Sequence, residues 1–235
     1  MPYISTEDCT GISTGQHEID RCIGDGIPKG SLTLIEGNHA AGKTVLCQNL
    51  TYSALHDKSS VAFYTSETSS PSMISRMSSL RMDVLDYFLL DQLRIFPIEL
   101  TKFYPAPDEL LDTLLEHMMA LPAEFDFIAV DTLTSYLPRC SKSTILDFFV
   151  ECRQMCSQGK TIIITLDSRR SLSQLTAELQ PLCDVHLKLR MEAVLVEKVV
   201  KVLNVVKSPQ SSSSKHNKVH FDVLDGVGIH TVFPK

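Results

Sequence analysis

The chain has 235 residues, 43% hydrophobic and 21% charged, with a formal net charge of −6. That length suits one sizeable core without residues for a second, so a single domain over residues 1–235 is expected. The average composition argues against intrinsic disorder, no window reaches the roughly 18 apolar residues of a membrane span, and the acidic balance disfavours nucleic acid as the main ligand.

In chain order, Met1 to Thr10 carries Glu7 and Asp8 and lacks the basic flank and apolar run of a signal peptide, which points to a cytosolic protein. Ser31-Leu-Thr-Leu-Ile-Glu36 is apolar and bounded by Gly30 and Gly37, as a buried strand would be. A helix should run from Lys43 to about His56, with Val45, Leu46, Leu50 and Leu55 turned inward. Val61–Thr65 reads as a second strand, and Ser69-Ser-Pro71 supplies a cap and a first-turn proline for a helix ending near Leu80. The apolar runs Leu85–Leu90 and Phe103-Tyr104 are expected in the core rather than on a partner-facing surface.

Leu93–Phe96 is the next strand. A helix follows at Pro107, with Leu110, Leu111, Leu114, Leu115 and Met118 at helical spacing. Phe125–Asp131 is a strand, Ile145–Cys156 lies in a helix, and Thr161–Leu166 is a strand, so βα alternation predicts a parallel sheet covered on both faces. Beyond Cys183 the pattern changes to strands at Val185–Met191, Leu195–Val206, Val219–Leu224 and Ile229–Phe233, which predicts an antiparallel extension. Ser208–Lys215 between them is a polar, low-complexity loop whose composition predicts mobility. The seven cysteines, scattered at 9, 22, 47, 140, 152, 156 and 183, suit reduced thiols. Cys152 and Cys156 share a helix face, yet no second pair stands at zinc spacing, and small thiols commonly fill cores.

Gly37-Asn38-His39-Ala40-Ala41-Gly42-Lys43-Thr44 matches G-x-x-x-x-G-K-[ST] between a strand and a helix start, the context in which that pattern cradles phosphate. Main-chain amides and the helix N-terminus would face an anion. Lys43 would reach the β- and γ-phosphates of ATP, and Thr44 would place its hydroxyl on Mg²⁺. Asp131, ending an apolar strand, would enter the metal shell through water from the sheet's C-terminal end, where ligands of such sheets bind. Thr132 and Thr134 are weaker candidates, since hydroxyls after a strand usually serve turns.

The segment Thr14–Ser31, running into Leu34-Ile-Glu-Gly37 and the P-loop, resembles the KaiC branch of RecA-like ATPases. Phe148–Arg153, Gly159–Leu166, Leu182–Arg190 and Lys198–Lys207 look, within that branch, like the accessory ATPase of the archaellum, the archaeal flagellum, known as the H protein of its operon. The likeness covers nearly the whole chain, and its C-terminal segments are far more specific than the P-loop.

The resemblance implies an α/β RecA-like, KaiC-type P-loop domain that binds ATP and Mg in the cytoplasm, peripheral to a membrane motor. It also implies a ring, hexameric in this family, whose partners are the archaellum motor ATPase and a membrane-anchored scaffold protein, with nucleotide used mainly as a structural or regulatory ligand. Glu67 takes the position of a water-polarising catalytic carboxylate.

Several departures from the pattern point toward slow hydrolysis. KaiC has two adjacent glutamates where this chain has Glu67-Thr68. Its Lys-x-Arg pair, which reaches a neighbouring subunit's nucleotide, is matched here by Lys207-Ser-Pro209, leaving Lys215 or Lys218 as substitutes. A positioned arginine finger is worth about 10³ to 10⁵ in rate. Relatives usually show His-Pro where this chain has Asp167-Ser168. Ala40-Ala41 replaces a more glycine-rich pair, which alanine tolerates if φ is negative. Two other function classes remain: an active ATPase or autokinase, and a recombinase-like DNA-binding filament, which the acidic charge disfavours.

Overall fold

The computed structural model describes residues 11–98, 107–134, 137–168, 173–195, 198–209 and 217–232. Phe103, Tyr104 and most of the polar loop, including Lys215, lie outside them.

A short ladder of β1 (Gly11–Ile12) and β2 (Ile27–Pro28) brackets α1 (His17–Ile23). The main body is one nine-stranded sheet. Its strands are β3 (Leu32–Gly37), β4 (Val61–Thr65), β5 (Leu93–Pro97), β6 (Phe127–Asp131), β7 (Thr161–Asp167), β8 (Val185–Leu195), β9 (Lys198–Lys207), β10 (Lys218–Leu224) and β11 (Gly228–Thr231). They lie in the order β11-β10-β9-β8-β3-β7-β6-β4-β5. From β5 to β8 every pairing is parallel, while β9, β10 and β11 pair antiparallel.

The helices are α2 (Lys43–His56), α3 (Ser70–Ser79), α4 (Leu85–Leu89), α5 (Pro107–Met119), α6 (Lys142–Ser157) and α7 (Ser173–Leu179), with a 3-10 turn at Leu137–Arg139. Successive strand residues face opposite layers. Ile163, Phe127, Ala129 and Phe63 meet Leu46, Cys47, Leu50 and Ala54 of α2 on one face. Ile162, Ile164, Ile128 and Tyr64 meet Leu110, Leu114, Phe148 and Phe149 of α5 and α6 on the other. Burial on both faces explains why these strands read as continuous apolar runs.

The expected antiparallel extension is present in β9, β10 and β11, joined to the parallel sheet through β8, which α7 delivers parallel to β3. Three expectations are corrected. Leu195 closes β8 and pairs with Lys198 rather than opening β9. Leu85, Leu89 and Leu90 are exposed, the last two at 70% each, because a one-turn helix beside the edge strand β5 has no layer above it. Of the inward residues assigned to α2, Val45 is only partly buried, but Thr51 and Ser53 are buried, so the helix is enclosed nearly all round.

Cys152 and Cys156 sit in the core below α6, where burial pushes the Cys156 thiol up to about 12. Among the described residues no group of three or more His, Cys, Asp or Glu gathers, and no helix is long and apolar enough to cross a membrane.

Candidate nucleotide site

The P-loop turns at the C-terminal end of the central strand β3, the end at which doubly wound sheets bind ligands. Asn38, His39 and Ala40 form its exposed arc, Ala41 is buried, and Gly42 caps α2 with φ 97°. Gly42 offers no side-chain cap, and α2 carries no acidic residue in its first turn. The first amides of this helix therefore face outward with the positive end of the helix dipole uncompensated, which fits a bound phosphate.

The glycines answer to packing as well as to phosphate. A side chain at Gly37 would begin 2.5 Å from the Leu189 carbonyl oxygen of β8, and one at Gly42 would begin 3.2 Å from the Phe221 ring of β10. The antiparallel extension therefore rests directly on the P-loop. Ala40 has φ 60°, so the condition set for alanine at this position is not met, and its Cβ stands in the left-handed region.

Lys43 is buried, and its Nζ donates to the carbonyl oxygens of Gly37 and Asn38 at 3.0 Å each. The same ammonium lies 2.6 Å from Asp167 Oδ1 at the end of β7. The Thr44 hydroxyl donates to Asp131 Oδ1 at 3.3 Å, so the two groups expected at a metal stand side by side across 87 residues of sequence. Asp131 also accepts the Thr165 hydroxyl at 2.6 Å. Burial pushes the Asp131 carboxyl above its ordinary value, the Thr165 and Thr44 hydroxyls pull it back, and the nearby charge of Glu67 adds to the rise. A buried carboxylate beside a hydroxyl is a donor set suited to Mg²⁺, which takes hard oxygen ligands and keeps several waters.

Glu67 is exposed just past β4, within electrostatic reach of Asp131, and its amide turns back to Thr65 Oγ1 at 3.3 Å. Thr132 and Thr134 serve the backbone. The Thr132 hydroxyl donates to the Thr165 carbonyl at 2.8 Å, and Thr134 Oγ1 accepts the Asp167 amide at 2.7 Å. Lys207 donates its ammonium to the carbonyls of Gln180, Pro181 and Cys183, just past the end of α7. Lys218 pairs with Glu192 at 2.8 Å.

Sequence reasoning missed Thr165 as a member of the site, and it noted Asp167 only as a departure from the His-Pro of relatives, without its contact to Lys43. The one available signal was polarity at the end of an otherwise apolar strand, Ile162-Ile-Ile-Thr-Leu-Asp167.

Residues 12–234 match the family model described as "ATPase: KaiC". The chain is 29% identical over 225 residues to the archaeal flagellar ATP-binding protein FlaH of Sulfolobus acidocaldarius, covering 94% of this chain and 96% of that one. It is 29% identical over 163 residues to the protein of the same name from Methanocaldococcus jannaschii, covering 67% and 68%. The crystal structure of flagellar accessory protein FlaH from Methanocaldococcus jannaschii superposes with a TM-score of 0.80 at 21% identity, covering 96% of this chain and 100% of that one, a likeness of fold.

Proposed function

From the premise that this chain belongs to the KaiC ATPase family, we propose that it is an ATP-binding component of the archaellum motor. In this reading nucleotide acts as a structural or regulatory ligand for ring assembly and partner contact, with weak or no hydrolysis. The observation that carries the proposal is the P-loop at the end of β3, with the Thr44 hydroxyl on Asp131 Oδ1 beneath an uncapped helix N-terminus. The relatives named archaeal flagellar ATP-binding proteins supply the motility context.

The backbone of residues 37–44 wraps the phosphates, and Lys43 neutralises their charge. Thr44 would hold Mg²⁺ directly and Asp131 through water, and the ion would supply charge neutralisation across the β- and γ-phosphates. In this reading Glu67 would orient a water.

Slow turnover is supported by the chain's own residues. Position 209 is proline, and Lys207 already serves the backbone after α7, so neither is set to reach a neighbour's nucleotide. The expected partners are the motor ATPase and the membrane-anchored scaffold protein of the archaellum, met at the cytoplasmic side of the membrane.

Turnover is not needed for a switch. Nucleotide at a hundred times its Kd stabilises the competent state by about 2.7 kcal/mol. Sizing the protein with and without Mg-ATP, together with a phosphate-release assay, tests this: nucleotide-dependent assembly with little phosphate is the expected result. Steady release abolished by Glu67→Gln would establish an active ATPase instead, and labelling of the chain's own Ser or Thr would establish an autokinase.

A further inference from the structure

An ammonium group has three N–H donors, and those of Lys43 are all engaged, on Gly37 O, Asn38 O and Asp167 Oδ1. A phosphate oxygen reaching Lys43 must displace one of them. Two are neutral carbonyls of the loop itself, and the third is an anion. We propose that Asp167 is a resident counter-anion of the P-loop, competing with the terminal phosphate of a nucleotide for Lys43 and so setting how tightly, and how selectively, ATP is held. The inference rests on the nucleotide-site reading above.

Asp167 cannot leave easily. Its amide donates to Thr134 Oγ1 at 2.7 Å, the next amide, of Ser168, donates to Gly37 O at 3.0 Å, and Asp167 is in register with Gly37 in the parallel ladder of β3 and β7. The backbone is thus tied to the P-loop's own first residue and to the turn after Asp131. A short side chain on so fixed a backbone keeps its carboxylate close to the loop in any rotamer. Lys43, with four torsions, is the partner free to turn. When it turns to phosphate, the Asp167 carboxylate stays beside the incoming anion, and like charges so close repel.

The repulsion grows with phosphate charge. A triphosphate brings more negative charge to Lys43 than a diphosphate, so Asp167 weakens ATP more than ADP and narrows the preference between them. Asp167→Asn keeps the side-chain shape and removes the charge, and Asp167→Ala removes both, so the pair guards against an amide that rearranges the pocket. Thermal unfolding of the nucleotide-free variants checks that each is folded.

The test is equilibrium titration of wild type and both variants with fluorescently labelled ATP and ADP in the presence of Mg²⁺. Removing the charge should tighten ATP by about tenfold, and ADP by less. If wild type binds and both variants bind ATP equally or more weakly, the counter-anion role is overturned, and weaker binding would make Asp167 a residue that orients Lys43. If neither wild type nor variants bind either nucleotide, the reading of the site itself fails and the inference with it. These two failures have different signatures.

Discussion

The Phe221 ring of β10 stands 3.2 Å from the point where a side chain on Gly42 would begin, so the C-terminal extension and the phosphate loop share one surface. Phe221 belongs to the same buried cluster as Leu46 and Leu50 of α2. A side chain added to the loop at Gly42 would therefore press on the extension.

Gly42→Ala places a Cβ against that ring at φ 97°, where an alanine is strained even without the contact. Denaturant unfolding should show a loss of about 2–4 kcal/mol, summing left-handed strain and overpacking. Adding Phe221→Leu should recover only part of it, since the backbone penalty stays. Full recovery would show that the ring contact alone demands glycine.

Ala40→Gly should have the opposite sign. Ala40 already sits at φ 60° on the exposed arc of the loop, so glycine relieves strain of about 1–2 kcal/mol while adding a smaller entropy to the unfolded chain. A net gain of about 0.5–1 kcal/mol is expected from the same unfolding assay. A loss of stability would contradict the left-handed assignment.

Lys207 distinguishes a structural cation from a catalytic one. Its ammonium closes onto Gln180, Pro181 and Cys183, so Lys207→Met should lower stability by about 1–2 kcal/mol without changing ATP affinity or phosphate release. A fall in turnover at unchanged stability would assign it to a neighbour's nucleotide.

Glu36, buried at the end of β3, gives the fold a pH dependence. Burial pushes its carboxyl up, but His186 and Lys188 outweigh that and leave it below its ordinary 4.5. Lys188 Nζ meets Glu36 Oε1, and His186 Nε2 lies 3.4 Å from Oε2. Folded Glu36 thus takes up a proton less readily than unfolded Glu36. The stability it contributes is present above 4.5 and is lost as pH falls from there through the lower folded value. Unfolding of wild type and Glu36→Gln across a pH series should show their difference shrinking on acidification below that point, and a constant difference would contradict it.

The elements that were legible in the sequence are those whose signals are local. Val61–Thr65 falls as expected because a short, mostly apolar run with two aromatic residues is bounded by polar residues, and α2 starts at Lys43 because the P-loop pattern fixes its start. What escaped depends on distant partners or short length. α1, α4 and α7 span 7, 5 and 7 residues, too few turns for a periodic pattern to stand out. The parallel course of β8 beside β3 depends on the α7 crossover, which the sequence reading did not contain. In the site, Lys43, Thr44 and Asp131 carry motif signals, whereas the roles of Thr165 and Asp167 arise only when β7 is laid between β3 and β6. The sign of φ at Ala40 belongs to the folded loop and has no counterpart in residue identity.

The central claim is that Lys43 and the loop around it hold the phosphates of ATP. Equilibrium binding of Mg-ATP to wild type and Lys43→Ala, with folding of both confirmed by thermal unfolding, tests it most directly. Measurable binding by wild type and a loss of at least about tenfold in the variant is the expected result, the scale of one charge-assisted hydrogen bond. A folded Lys43→Ala protein that binds Mg-ATP as tightly as wild type would contradict it.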